Sequence, residues 1–269
     1  MITIAIPFYN AEKYLAEAIN SVLNQSYREY ILLLVDDGST DSSLEIANSF
    51  ANKDTRIQVF SDGKNRNLGY RLNQIPMLCK TEYLARMDAD DIMHPLRIER
   101  QIKVLKEDSD IDVLGTNAYT INEKNEVNGL RFKTLEGIIR CDSFIHPTIM
   151  AKTQWFLDNK YDVMAVRIED AELWYRASKI SNFKVLLEPL FFYREFGHDY
   201  YKKYFATLES GGYLINKYNK DTYWQKFFFK LRLKAFVYKA FSFLNKEQVL
   251  ISRRNEVQFK SLKDYTNYL

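Results

Sequence analysis

Only two cysteines, Cys79 and Cys141, occur in the 269 residues. So few, so far apart, they give no disulfide framework and fit a reducing compartment. No apolar run approaches the roughly 20 residues needed to span a bilayer. The N-terminus, Met1-Ile2-Thr3-Ile4-Ala5-Ile6-Pro7, lacks the basic segment and long apolar core of a secretory leader, and none is expected there. The net charge is only +3, too small to argue for a nucleic-acid partner. The turn Pro7-Phe8-Tyr9-Asn10 carries no glycine. That excludes a dinucleotide oxidoreductase, which needs G-x-G-x-x-G after its first strand. A Gly-rich basic loop for gripping a triphosphate is absent from the same place, which argues against a nucleotidylyltransferase. There are no internal repeats and no low-complexity linker.

What is present is the composition of a globular protein, 46% hydrophobic and 27% charged. The length suits one large domain or one domain with an appendage. Aromatics reach 15%, with 19 Tyr and 18 Phe. Such rings line carbohydrate and nucleotide sites, and they also fill cores. Ile2 to Ile6 reads as a buried strand stopped by Pro7. Asn10 is expected to cap a helix from Ala11 to about Asn24. Tyr30 to Val35 is a continuous apolar run, the pattern of a parallel strand covered on both faces. Ser42 and Glu45 form a plausible capping box for a helix through Phe50. A strand at Arg56–Phe60, a helix near Tyr70–Leu78 and a strand before Asp88 follow. Strands alternating with helices predict an α/β fold, a doubly wound, mostly parallel sheet with helices on both faces.

Ala85-Arg86-Met87-Asp88-Ala89-Asp90-Asp91 is the most informative segment. A strand delivers its three carboxylates to the C-terminal edge of the sheet, where α/β proteins bind ligands. Three anions so close repel unless a cation joins them. Hard oxygen ligands at this spacing suit Mg²⁺ or Mn²⁺, which in turn hold phosphate oxygens. Two other strands end at the same edge, in Pro7-Phe8-Tyr9-Asn10 and in Asp36-Asp37-Gly38-Ser39. Much later, Arg167-Ile168-Glu169-Asp170-Ala171-Glu172-Leu173-Trp174 opens a helix whose N-terminal amides can hold an anion.

This ordered set resembles the inverting family 2 glycosyltransferases, which have the GT-A (Rossmann-like) nucleotide-sugar fold. The resemblance covers roughly residues 2 to 195. It implies a catalytic domain at 1–200, with a nucleotide-sugar half at about 1–110 and an acceptor half at about 111–200. Residues 201–269 are read as a helical C-terminal region. The implied reaction is metal-dependent, inverting transfer of a hexose or N-acetylhexosamine from a UDP-sugar to a hydroxyl of a glycan or lipid-linked glycan. Pro7 and Tyr9 would adjoin the nucleotide, with Tyr9 stacking on its base, and Asp37 would accept the imide N–H of uracil. Asn67 and Arg71 lie where the family contacts the nucleotide or diphosphate. Asp90 would be the principal ligand of Mn²⁺ or Mg²⁺, with Asp88 on the ribose and the metal. Asp170 would be the general base. His146, Glu169 and Trp174 would face the acceptor, and His198 belongs to a loop that would close over the diphosphate. The sequence departs from the family at Gly69-Tyr70-Arg71-Leu72-Asn73, about two residues short, and Pro76 is expected to interrupt the helix that follows. A non-catalytic nucleotide-sugar-binding protein and a nucleotidylyltransferase are the alternatives. The implied place is the cytoplasm or the cytoplasmic membrane face.

From Thr222 to Lys246 there is no acidic residue, and six lysines and arginines alternate with aromatics and aliphatics. This pattern fits a helix lying in an anionic membrane interface. It equally fits a helix packed on the catalytic domain or on a second copy of the chain.

Overall fold

The computed structural model describes residues 1–197, 199–219 and 221–259. His198 therefore lies outside the described residues, as do 260–269 of the C-terminal region. The elements run β1 (Ile2–Phe8), α1 (Leu15–Leu23), β2 (Tyr30–Asp36), α2 (Ser43–Ala51), β3 (Ile57–Phe60), α3 (Leu68–Leu78) and β4 (Tyr83–Arg86). Next come β5 (Ile92–Met93), α4 (Arg97–Glu107), β6 (Val113–Ile121), β7 (Val127–Leu130), β8 (Ile138–Arg140) and β9 (Met150–Lys152). The remainder is α5 (Thr153–Asp158), α6 (Glu169–Ala177), β10 (Phe183–Arg194), α7 (Tyr200–Leu208), α8 (Gly211–Lys217), α9 (Thr222–Phe243), α10 (Glu247–Ser252) and β11 (Val257–Gln258).

One sheet runs through the chain in the order β11-β7-β6-β9-β4-β1-β2-β3, with β10 beside β6. The parallel ladders, β1–β2, β1–β4, β2–β3 and β6–β10, pair four to eight residues each. The antiparallel ladders of the second half pair only two or three. Side chains alternate across this sheet with period two. Ile4, Ile6, Leu32 and Leu34 pack with α1 and α4 through Leu15, Ile19, Ile98 and Ile102. Ala5, Leu33 and Val35 face the other way, onto Leu72, Ile75, Phe156 and Leu173. Two covered faces are why β2 is apolar at every position from Tyr30 to Val35.

Several local expectations give way. Pro7 does not stop β1; it pairs with Val35, and the strand runs to Phe8. Ala5 O accepts from Met87 N, and Phe8 O from Asp37 N. Pro7 shares Ala5's parity, so its missing N–H faces the β4 side, beyond the last residue paired there, Arg86. Asn10 does not cap α1. It takes a left-handed φ of 48° and accepts from Thr40 N at 2.8 Å, and the helix begins at Leu15. Ser42 caps nothing with its side chain. Asp41 accepts from Ser43 N and from Glu12 N, and Glu12 accepts from Ser42 N, so the two loops are stitched reciprocally. α3 continues through a buried Pro76 to Leu78. Nor is the C-terminal region purely helical: β11 adds an antiparallel strand to β7, pairing Val257 with Leu130.

Candidate active site

The site lies at the C-terminal ends of β1, β2 and β4, and each strand end is built differently. At β2, Gly38 has φ +74°, and a Cβ there would stand 2.7 Å from Asn65 N, so only glycine lets the 62–67 loop close. The closed loop donates Arg66 N and Asn67 N to Asp37, at 2.8 and 3.1 Å. Arg71 Nε donates to the same carboxylate at 2.8 Å. Arg71 is fully buried, and its other donors go to Gln74, Asp62 and the Lys64 carbonyl. Asp62 is held well below the ordinary carboxylate range, chiefly by Arg71 and then by Arg66. Asp36 accepts from Ser39 N and Ser61 Oγ. The structure places the Arg71 guanidinium on the loop, where it bonds Asp37, Gln74, Asp62 and the Lys64 carbonyl. Pro7 is likewise a buried strand residue. Tyr9 and Asn67 are exposed at the strand edge, and Asn67 has φ 70°.

At β4 the outcome is opposite. Asp88, Asp90 and Asp91 bring carboxylate oxygens within 4.8 Å of one another. Arg86 Nη2 donates to Asp88 at 2.6 Å, while Arg86 Nε and Nη1 are buried without a partner. Asp91 is buried and accepts from Arg194 N at 2.7 Å, and its Oδ2 has no partner. Burial, then the charges of Asp90 and Asp88, pushes Asp91 well above the usual range. Asp90, crowded by protein atoms and by Asp88, is pushed up to about 6. An orphaned buried oxygen among mutually repelling carboxylates is the donor set a hard divalent cation satisfies. Arg194 braces the loop from below, donating to the Asp90 carbonyl and to Glu17.

The third component is the start of α6. Asp170 Oδ1 accepts from Ala171 N at 2.7 Å, and Oδ2 stands 3.9 Å from His146 Nδ1. His146 Nε2 lies 2.8 Å from Tyr161 Oη. Burial, with help from the Arg86 charge, drives His146 well below its usual pKa, so its contact with Asp170 is not an ion pair. Burial raises both Asp170 and Glu169 above the usual carboxylate range. Trp174 is not an exposed platform. It is 3% exposed and packs edge-on against Phe144 and His146, forming a floor beneath them.

Two clefts meet at Asp170. One, about 460 Å³, is lined by Arg86, Asp88, His146, Glu169 and Asp170, and also by Arg131, Tyr193 and Arg254. The other, about 540 Å³, runs from Asp170 past Tyr175 and Lys179 to Tyr223 and Phe227 on α9. The Tyr175 and Tyr223 rings stack at 4.7 Å, and Lys179 Nζ stands 3.9 Å above Tyr175. Sequence reasoning missed Arg131, Tyr161, Tyr193 and Arg254, and all of the second cleft's wall beyond Trp174. Arg131 and Arg254 share Glu195 between them. No local motif announces such residues, which meet only when β7, β10 and the C-terminal segment fold together.

Residues 3–170 match the family described as Glycosyl transferase family 2. Over 97% of its length the chain is 27% identical to the uncharacterized glycosyltransferase MJ1057 of Methanocaldococcus jannaschii, covering 97% of that protein. It is 28% identical to the O-antigen biosynthesis glycosyltransferase WbnJ of Escherichia coli, over 82% of this chain and 89% of WbnJ. Among solved structures it superposes on S. aureus TarS with a TM-score of 0.61 at 21% identity, over 78% of this chain and 65% of the TarS chain. TarS has also been solved with UDP and with UDP-GlcNAc. With a mixed sheet flanked by helices, a family match over most of the chain and a relative aligned over nearly the full length of both chains, the chain belongs to glycosyl transferase family 2 and is a glycosyltransferase of the GT-A fold.

Proposed function

We propose that the chain transfers a hexose or N-acetylhexosamine from a UDP-sugar to a hydroxyl of a glycan or lipid-linked glycan, with inversion at the anomeric carbon. The observation that carries this reading is the position of Asp170, on the border between the carboxylate-lined cleft and the aromatic one. The first suits the donor and the second the acceptor, since stacked rings such as Tyr175 and Tyr223 offer flat apolar faces to sugars. TarS with UDP and UDP-GlcNAc supports the donor class, and WbnJ supports a role in polysaccharide assembly.

The chemistry follows from the residues. Asp170 takes the proton of the acceptor hydroxyl as its oxygen attacks the anomeric carbon, and the bond from that carbon to the diphosphate oxygen breaks on the opposite face. A carboxylate with a raised pKa is a stronger base than an ordinary aspartate. Neutral His146, tied to Tyr161, lies beside Asp170 without neutralising it. Asp90 and Asp88 would hold Mn²⁺ or Mg²⁺, with Asp91 beside them. Such an ion neutralises charge on the departing diphosphate. Tyr9 offers an exposed ring for the base, and Asp37 Oδ2 keeps acceptor capacity beyond its bond to Asn67 N. Arg131 and Arg254 also line the donor cleft; sharing Glu195, they leave it one net positive charge, which a leaving diphosphate needs.

The experiment is a set of UDP-sugars incubated with and without Mn²⁺, followed by release of UDP and by NMR of the product. UDP release that needs the cation, with an inverted anomeric centre, is the expected result. Retention of configuration, or equal turnover in chelator, overturns the reading.

A further inference from the structure

α9 is apolar on two opposite sides. Its inner face buries Trp224, Phe228, Ala235 and Tyr238 against α7, α8 and the residues before α6. At about 100° per residue, Phe229, Leu233, Phe236, Val237, Phe243 and Leu244 all fall within roughly 60° of one line on the outer side. These residues are exposed; Phe229 is 64% and Phe243 79% accessible. A protein with this much contiguous apolar surface on one helix has a use for it. Arg232 and Lys239 border the stripe on one side, and Lys230 and Lys234 on the other. None of the four forms an ion pair among the described residues, although Lys234 lies over the Tyr204 ring and Lys239 over that of Phe205. No acidic residue occurs between Thr222 and Lys246.

We propose that the outer stripe of α9 docks on an anionic membrane surface, with the helix in the interface plane. Charge complementarity selects this occupant. A second copy pairing stripe to stripe would set rows of lysine against rows of lysine with no acid between them. An anionic lipid surface meets those lysines with opposite charge while the rings dip below the headgroups. No helix among the described residues is long and apolar enough to cross a membrane, so the contact is peripheral. The N-terminal end of the same helix supplies Tyr223 and Phe227 to the cleft beside Asp170. Docking therefore holds that cleft close to the lipid surface. The inference stands on α9 alone and does not depend on the donor or base assignments.

Flotation of the full chain tests it. The protein is mixed with vesicles of phosphatidylcholine alone, or with roughly a third phosphatidylglycerol. The expected result is flotation only with the anionic vesicles, falling on the order of 10-fold as salt is raised to about 0.5 M. Leu233→Glu with Phe236→Glu, and Lys230→Glu with Arg232→Glu, each lower the bound fraction by about 10-fold or more while the variant stays folded by circular dichroism. Should a double variant fail to fold, the salt titration of the unmodified chain decides. No flotation, equal flotation on neutral vesicles, or full binding by folded variants overturns the proposal. So does a concentration-dependent dimer by light scattering that the Leu233→Glu/Phe236→Glu variant abolishes while vesicles capture nothing.

Discussion

Two acidic runs close the parallel strands on either side of β1, and the protein treats them in opposite ways. At the end of β2, Asp36 and Asp37 receive five hydrogen bonds from the turn, Ser61, the 62–67 loop and Arg71. At the end of β4, Asp88, Asp90 and Asp91 receive one guanidinium and one amide, and a buried oxygen is left over. Buried charge needs partners. Where the chain supplies them all, the carboxylates are architecture. Where it withholds them, the deficit is what a cation and a diphosphate would fill. In sequence the two runs look alike; the difference lies in what arrives from elsewhere in the chain.

The largest test of this contrast is Asp90→Ala. On the proposed reading the variant loses a cation ligand, so it should lower transfer by roughly 10³-fold or more and abolish Mn²⁺-dependent UDP binding, measured by calorimetry. Near-normal turnover would mean that the β4 run is architecture too. Asp170→Asn comes next. It keeps the shape but cannot take a proton, so turnover should fall by about 10²-fold or more with UDP affinity nearly unchanged. Because the Asp170 pKa is raised, activity at saturating Mn²⁺ should rise with pH through a limb above the ordinary aspartate range. Below that limb the base carries a proton and is inactive; above it the base is free. Asp170→Asn should erase the limb, and a limb that survives would assign it to another group.

What the sequence makes legible follows the same division between local and distant causes. β2 can be read because burial on both faces forces an unbroken apolar run. The Asp88–Asp91 cluster can be read because its members are neighbours in the chain, and the family resemblance rests on such compact motifs in order. Arg71 could not be assigned this way, since its partner Asp37 lies 34 residues off and becomes buried only when the loop over Gly38 closes. Asn10 looks like a helix cap until Thr40, 30 residues on, takes its side chain. β11 has two residues, too few for any period, yet it brings the Arg254 segment against the cleft lined by Asp88 and Asp170. α9 hides its nature in another way: apolar on two opposite sides, it has no single face for periodicity to find.

The contrast is sharpened from the β2 side by Asp37→Ala. Removing this carboxylate leaves the fully buried Arg71 with Asp62 as its remaining ionic partner and frees two loop amides. The cost should be about 2 kcal/mol, or roughly 4–8 °C in melting temperature for a chain of this size, followed by thermal denaturation. It should appear equally in chelator and in Mn²⁺, because the damage is to packing rather than to a ligand. A loss seen only with Mn²⁺ would make Asp37 part of the metal site.

The smallest effect should come from Asp91→Asn, and its sign is the point. Asparagine keeps an oxygen to accept from Arg194 N. It replaces the orphaned Oδ2 with an amide that can donate to the carboxylates within 4.8 Å. It also removes one of three crowded negative charges, the one that burial disfavours most. In chelator the variant should therefore be more stable than the unmodified chain, by about 1 kcal/mol or roughly 2–4 °C. In Mn²⁺ the order should reverse or the gap close, because the unmodified cluster then gains the binding free energy of the ion while the variant binds it less tightly. Destabilisation of Asp91→Asn in chelator would show that the β4 carboxylates are held as firmly as Asp37, and the distinction between the two acidic runs would fall.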